Sequence, residues 1–180
     1  MRKLILLVVV VIAAAVPSFA QSSAPSTEIF VGYSYLNAQP FGGRTSLNGF
    51  GASFAQNFGE KWGAVAEFGG NYATVHEIIP PFGPIALKTS IYPFLFGPRV
   101  SARGKAATGF AHVLLGGARI NVEGGSGTSF AMAVGGGVDV NAGKSLAFRL
   151  GQVDYFPNRL NGTWNSDFRF QAGIVIKLGN

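Results

Sequence analysis

The sequence contains no cysteine, so a disulfide framework, a thiolate metal site and a cysteine nucleophile are all excluded. Its two histidines, His76 and His112, are too few for a histidine-based metal cluster. No cofactor-binding or catalytic motif is expected. Charged residues make up only 12% of the 180-residue chain, about half the usual share for a soluble domain. No apolar run reaches the roughly 18–20 residues needed for a membrane-spanning helix. Glycine and aromatic residues, by contrast, are plentiful, with 26 Gly and 16 Phe. At 48% hydrophobic residues the chain is too apolar to be disordered.

Residues 1–20 read as a secretory signal peptide. Arg2 and Lys3 give a basic start, residues 4–16 are uncharged, and the small residues Ser18 and Ala20 set cleavage after Ala20. Residues 21–26 form a short polar, flexible lead, and 27–180 are one domain.

From Thr27 onward the hydrophobic period is two rather than 3.6, which predicts strands. Eight are expected, at 27–36, 47–57, 62–72, 89–102, 107–120, 129–140, 145–155 and 167–178. The connections at 58–61, 103–106 and 141–144 are short, and those at 37–46, 73–88, 121–128 and 156–166 are longer. Short turns at one end and long loops at the other describe an antiparallel up-and-down meander.

One face of these strands is bulky and apolar. It carries Val31, Tyr33, Phe54, Phe68, Phe94 and Phe96, and is expected to continue through Leu114, Ala118 and Ile120 to Phe148, Phe170 and Ile176. The other face is rich in Gly, Ala and Ser and holds nearly every in-strand charge: Glu28, Glu67, Arg99, Arg119, Asp139, Arg149, Arg169 and Lys177. A soluble barrel with the bulky face inward would show water an exterior too poor in charge. A membrane barrel puts the bulky face toward lipid, where an Arg near midplane would cost about 2–4 kcal/mol. The small residues then suit the cramped inside of an eight-stranded cylinder. The expected fold is therefore an all-β, eight-stranded antiparallel transmembrane β-barrel behind a cleaved signal peptide. Tyr33, Tyr35, Tyr72 and Tyr92 toward the loops, and Phe54, Phe58, Trp62 and Phe110 toward the turns, are read as two interfacial girdles.

Two places strain the pattern. Pro93 and Pro98 fall inside the fourth strand, which predicts a bulge or a missing ladder bond. Gln152 and Asp154 would meet lipid unless a bulge resets the phase of the seventh.

The last strand carries Gln171, Gly173, Ile176 and Leu178 in the spacing of the C-terminal signal read by the barrel-assembly machinery. With the strand count and length, this resembles the small eight-stranded outer-membrane β-barrel family typified by the OmpA transmembrane domain and OmpX. The resemblance covers 27–178 and ends at the eighth strand, with Gly179 and Asn180 following where the signal usually has an aromatic. It implies residence in the cell outer membrane among lipids and lipopolysaccharide, a monomeric barrel and an envelope-integrity role.

Buried charges need partners. Glu67 is expected to pair with Arg99 and Asp139 with Arg149 in the turn-side half, with Arg119 and Arg169 nearer the loops. A gated pore for ions or small solutes is one reading of these charges. A structural plug, which the resemblance implies, is the other and fits an eight-stranded lumen better. His112 alternates with Phe110 and Leu114 and is expected to face outward as an interfacial residue. A lipid-modifying site there would need a serine at the same depth, and position 114 is Leu. In the long loops, His76, Glu77, Phe82 and Trp164 are candidates for partner contact. The basic residues (sequence pI about 9.9) are scattered without a stripe. That argues against nucleic acid and suits attraction to anionic lipopolysaccharide.

Overall fold

The computed structural model describes residues 24–38, 44–79, 83–122, 125–160 and 163–179, with backbone alone at 75–79, 83–87, 160, 163 and 164. Among these, eight strands follow one another without a helix: β1 (Thr27–Ala38), β2 (Thr45–Asn57), β3 (Trp62–Ile79), β4 (Gly83–Arg103), β5 (Ala107–Val122), β6 (Gly125–Asn141), β7 (Leu146–Leu160) and β8 (Thr163–Leu178). Each pairs antiparallel with its sequence neighbour, and β8 returns to β1 to close the barrel. Closure leaves no sheet edge unpaired, the condition hydrocarbon imposes on a β structure. The signal peptide and the start of the lead lie outside the described residues.

The turn-side ends are tight. Phe58 donates its backbone N–H to Trp62 (2.8 Å) across a turn in which Gly59 takes φ +106°, a conformation that suits glycine. Gly104 bonds Ala107 (2.8 Å) and Ala142 bonds Leu146 (2.9 Å) in the other two.

At the loop side the strands run further than their hydrophobic pattern suggests. β3 continues to Ile79 and β4 starts at Gly83, paired through Ile79↔Gly83, so most of the expected 73–88 loop is hairpin. This segment is rich in β-branched residues, among them Thr74, Val75, Ile78, Ile79 and Ile85. A tilted transmembrane strand needs only about 9–11 residues, so the hairpin extends past the span.

Both anomalies are resolved locally. Opposite Pro93 the β3–β4 pairing skips from Phe68↔Phe94 to Asn71↔Ile91, and near Pro98 the β4–β5 pairing skips from Phe96↔Leu115 to Arg99↔His112. The register is unchanged either side, so each proline removes ladder bonds without displacing the strand. In β7 the registers to both neighbours shift around Leu150. One extra residue there puts Arg149, Gln152 and Asp154 all inside, and all three are buried.

The outside is the bulky apolar face, with Val31, Phe68, Phe96, Leu150 and Val153 each more than half exposed. The inside divides by depth. Toward the loops lies an apolar cluster that includes Leu36, Leu47, Ile91, Ala118, Ile120 and Phe156. Toward the turns and mid-barrel lie most of the charges, with Asp167 buried at the loop side opposite Phe156.

β5 corrects the sequence reading. Phe110, His112, Leu114, Ala118 and Ile120 are buried in the lumen, while Val113 and Leu115 face out, 43% and 46% exposed. Both faces of this strand are apolar, so alternation alone leaves its phase ambiguous. The polar His112 settles it, because inside it finds a partner. Phe110 therefore does not belong to the turn-side aromatic girdle, where Phe54, Phe58 and Trp62 are exposed as expected.

Candidate functional site

The densest chemistry in the molecule is the polar network filling the lumen. Asp139 on β6 and Arg149 on β7 are paired neighbours in the ladder. Arg149 donates from Nε to Asp139 Oδ1 (2.8 Å) and from Nη2 to Oδ2 (3.1 Å), a bidentate geometry. This is the partnership expected from sequence.

The other expected pair is not formed. Arg99 instead reaches across the lumen from β4 to Glu28 on β1 (Nη2 to Oε2, 2.8 Å) and lies 4.0 Å from Asp139. Glu67 on β3 reaches across to Arg169 on β8. Glu67 and Arg99 do lie on adjacent strands, but Glu67 sits opposite Leu95 in the register and Arg99 opposite Gly63. They are four residues apart in depth, too far for contact.

Gln152 links the two halves. It accepts a bond from Arg149 Nη1 (2.7 Å) and donates to Glu67 Oε2 (3.3 Å) and Asp154 Oδ2 (2.8 Å). Arg169 donates to the same Asp154 oxygen from Nη2 (2.7 Å) and Nε (3.1 Å). The His112 Nε2 and Asp154 Oδ1 are 2.9 Å apart. His112, Gly135 and Asp154 occupy one row on β5, β6 and β7. Two strands that are not neighbours can join side chains here because Gly135 between them has none.

Aromatic rings complete the packing. Phe110 has the Arg99 guanidinium 4.5 Å and the Arg149 guanidinium 4.3 Å from its centroid, and Arg149 also lies 4.3 Å from Phe30. These are cation–π distances, made stronger by exclusion from water.

Arg119 does not join this network. It is exposed, and donates to Asn121 and Ser126 at the loop side. Gln152, Asp154, His112, Phe30 and Phe110 are members that the expected set of interior residues left out, and Glu28, expected on the inner face, was given no partner there. Gln152 and Asp154 could have been found by assuming the β7 bulge, and His112 by asking where a lone polar residue on an apolar strand finds a partner.

The β8 residues Gln171 and Gly173 face inward, and Ile176 and Leu178 outward, 45% and 47% exposed. His76 and Glu77 lie in β3 and Trp164 in β8, their side chains outside the description, and Phe82 lies outside the described residues. Exposed cations ring the loop side: Arg44, Lys88, Arg119 and Arg159.

No protein-family model matches this chain, and no curated protein sequence does. Solved structures do match. Neisserial surface protein A aligns over 87% of this chain and all of its own, with TM-score 0.64 at 11% identity. The outer membrane protein OprG of Pseudomonas aeruginosa aligns over 88% of this chain and 98% of its own, with TM-score 0.59 at 13% identity. Ail, the attachment invasion locus protein of Yersinia pestis, solved with the heparin analogue sucrose octasulfate, aligns over 84% and 99%, with TM-score 0.53 at 18% identity. With a closed eight-stranded wall, an apolar exterior and an ion-paired interior, the chain has the fold of the small eight-stranded outer-membrane β-barrels, the group typified by the OmpA transmembrane domain and OmpX, and that fold fits a place in the cell outer membrane.

Proposed function

We propose that the protein is a non-enzymatic structural component of the outer membrane, serving envelope integrity and offering its long hairpins for contact at the cell surface. The observation that carries this reading is the set of side-chain bridges spanning the lumen. Arg99–Glu28, Arg169–Glu67 and Gln152–Glu67 each join strands three or four places apart around the barrel. A lumen crossed by paired charges is filled rather than conducting. The lipid-modifying alternative loses its histidine, since His112 is directed at Asp154 inside the barrel.

Several narrower assignments belong to the same reading. The signal is removed after Ala20, and Gln171, Gly173, Ile176 and Leu178 are recognised by the barrel-assembly machinery. The barrel works as a monomer among outer-membrane lipids. The rim cations Arg44, Lys88, Arg119 and Arg159, all exposed, suit the phosphates of lipopolysaccharide. Surface contact through His76, Glu77, Phe82 and Trp164 has a parallel in Ail, which was solved with a sulfated sugar.

Planar-bilayer recording tests the central claim. The purified protein is expected to give no sustained unitary current steps. Reproducible steps from the wild type would overturn the plug reading in favour of a narrow or gated pore.

A further inference from the structure

The lumen charges do not cancel evenly along the barrel axis. In the turn-side part, four cations (Arg99, Arg103, Arg149 and Lys177) are gathered around two carboxylates, Glu28 and Asp139. Glu28 is already shared between Arg99 (2.8 Å) and Arg103 (2.6 Å), and Asp139 is taken by Arg149.

Lys177 is the outlier. It is only 7% exposed, yet among the described residues no carboxylate lies within 4.0 Å of its ammonium, which donates instead to the neutral Asn141 Oδ1. Asn141 is fixed in that orientation, because its Nδ2 donates to the Gly104 carbonyl (3.1 Å) and the Lys105 carbonyl (3.0 Å). A buried ammonium needs a counter-charge, and a neutral amide oxygen supplies only part of one.

The same residues line a groove of about 310 Å³ that opens at the turn-side mouth between Pro25 and two turns. Its walls include Arg103, Lys105, Thr108, Asn141 and Lys177. Lys144, on the second turn, and Lys105, on the first, are both exposed at its rim.

We propose that this turn-side mouth binds a phosphate group. Four cations around two carboxylates, with Lys105 at the rim besides, leave a surplus of positive charge that suits an oxyanion. Lysine, guanidinium and hydroxyl donors converging from several strands suit a tetrahedral one. Short turns face the periplasm in barrels of this fold. The phosphate then comes either from a soluble phosphate ester or from the headgroup of an anionic phospholipid in the inner leaflet. The site does not depend on whether the lumen conducts.

The test uses the mature chain, ¹⁵N-labelled and folded in phosphatidylcholine nanodiscs, titrated with inorganic phosphate while sodium chloride holds the ionic strength constant. Saturable amide shifts are expected at Lys105, Thr108, Asn141 and Lys177. Lys177→Gln is expected to weaken binding about tenfold, the loss of one charge-assisted bond. Lys105→Ser changes an exposed turn residue that does not hold the fold together, and is expected to weaken it by about threefold. In nanodiscs containing phosphatidylglycerol, shifts present before phosphate is added, with phosphate no longer binding, assign the headgroup. Unchanged phosphate binding there assigns the soluble source. The absence of saturable shifts in both kinds of nanodisc overturns the proposal, as does wild-type phosphate affinity in both variants.

Discussion

Asp139 is 1% exposed, accepts two bonds from Arg149 and lies 4.0 Å from Arg99, so one carboxylate serves two buried guanidiniums. Removing it strands Arg149 and leaves Arg99 with Glu28 alone. Asp139→Ala is expected to lower stability by about 3–5 kcal/mol, the cost of breaking a buried pair from one side. The measurement is the urea unfolding midpoint in detergent. Arg119→Ala, at an exposed residue outside the network, is expected to stay within about 0.5 kcal/mol in the same assay. Equal midpoint shifts for the two variants would refute the assignment of inside and outside. Gly135 gives a sharper steric test. A Cβ there would sit 2.2 Å from Asp154 Oδ1 and 2.2 Å from the Val153 carbonyl oxygen. Gly135→Ala is expected to destabilise by about 1–3 kcal/mol and to separate His112 from Asp154, visible as a shifted imidazole resonance. Gly109→Ala, where an added Cβ meets nothing within 4 Å, is its control.

At the scale of the strand, the extra residue at Leu150 decides which side chains of β7 are wet by the lumen. Deleting Leu150 removes that extra residue and leaves Arg149, Gln152 and Asp154 alternating inward without a bulge. Retained heat-modifiable gel mobility is the expected outcome, because no carboxylate is turned toward hydrocarbon. Loss of that mobility would show that the bulge itself is needed to close the barrel. This element also shows how far sequence carried. β2 and β6 have one bulky and one small face, and β8 one apolar and one largely polar face, so both their existence and their phase could be read directly. β5 could not be phased that way, because Phe110, His112 and Leu114 on one side rival Ala111, Val113 and Leu115 on the other. The Asp139–Arg149 pair was legible since its members flank a tight turn. Arg99–Glu28 and Arg169–Glu67 were not, because a bridge across the lumen depends on barrel closure and on depth, which local periodicity does not encode.

For the whole molecule, the barrel wall is continuous from β1 to β8, with Thr27 opposite Leu178 and Asn37 opposite Phe168. A closed cylinder of this kind resists detergent, so the unboiled protein is expected to migrate differently from the boiled protein on a gel. Identical migration would argue against closure.

The apolar cluster toward the loops has its own effect on permeation. An ion entering from the cell surface passes the rim cations and the buried Asp167, which Asn158 holds, and meets an apolar section of Leu36, Leu47, Ile91, Ile120 and Phe156. Such a section repels water as well as ions, and so acts as a second barrier in series with the ionic one. Cutting a charged bridge, for example by Glu67→Ala, should therefore loosen the fold and still leave the membrane electrically tight.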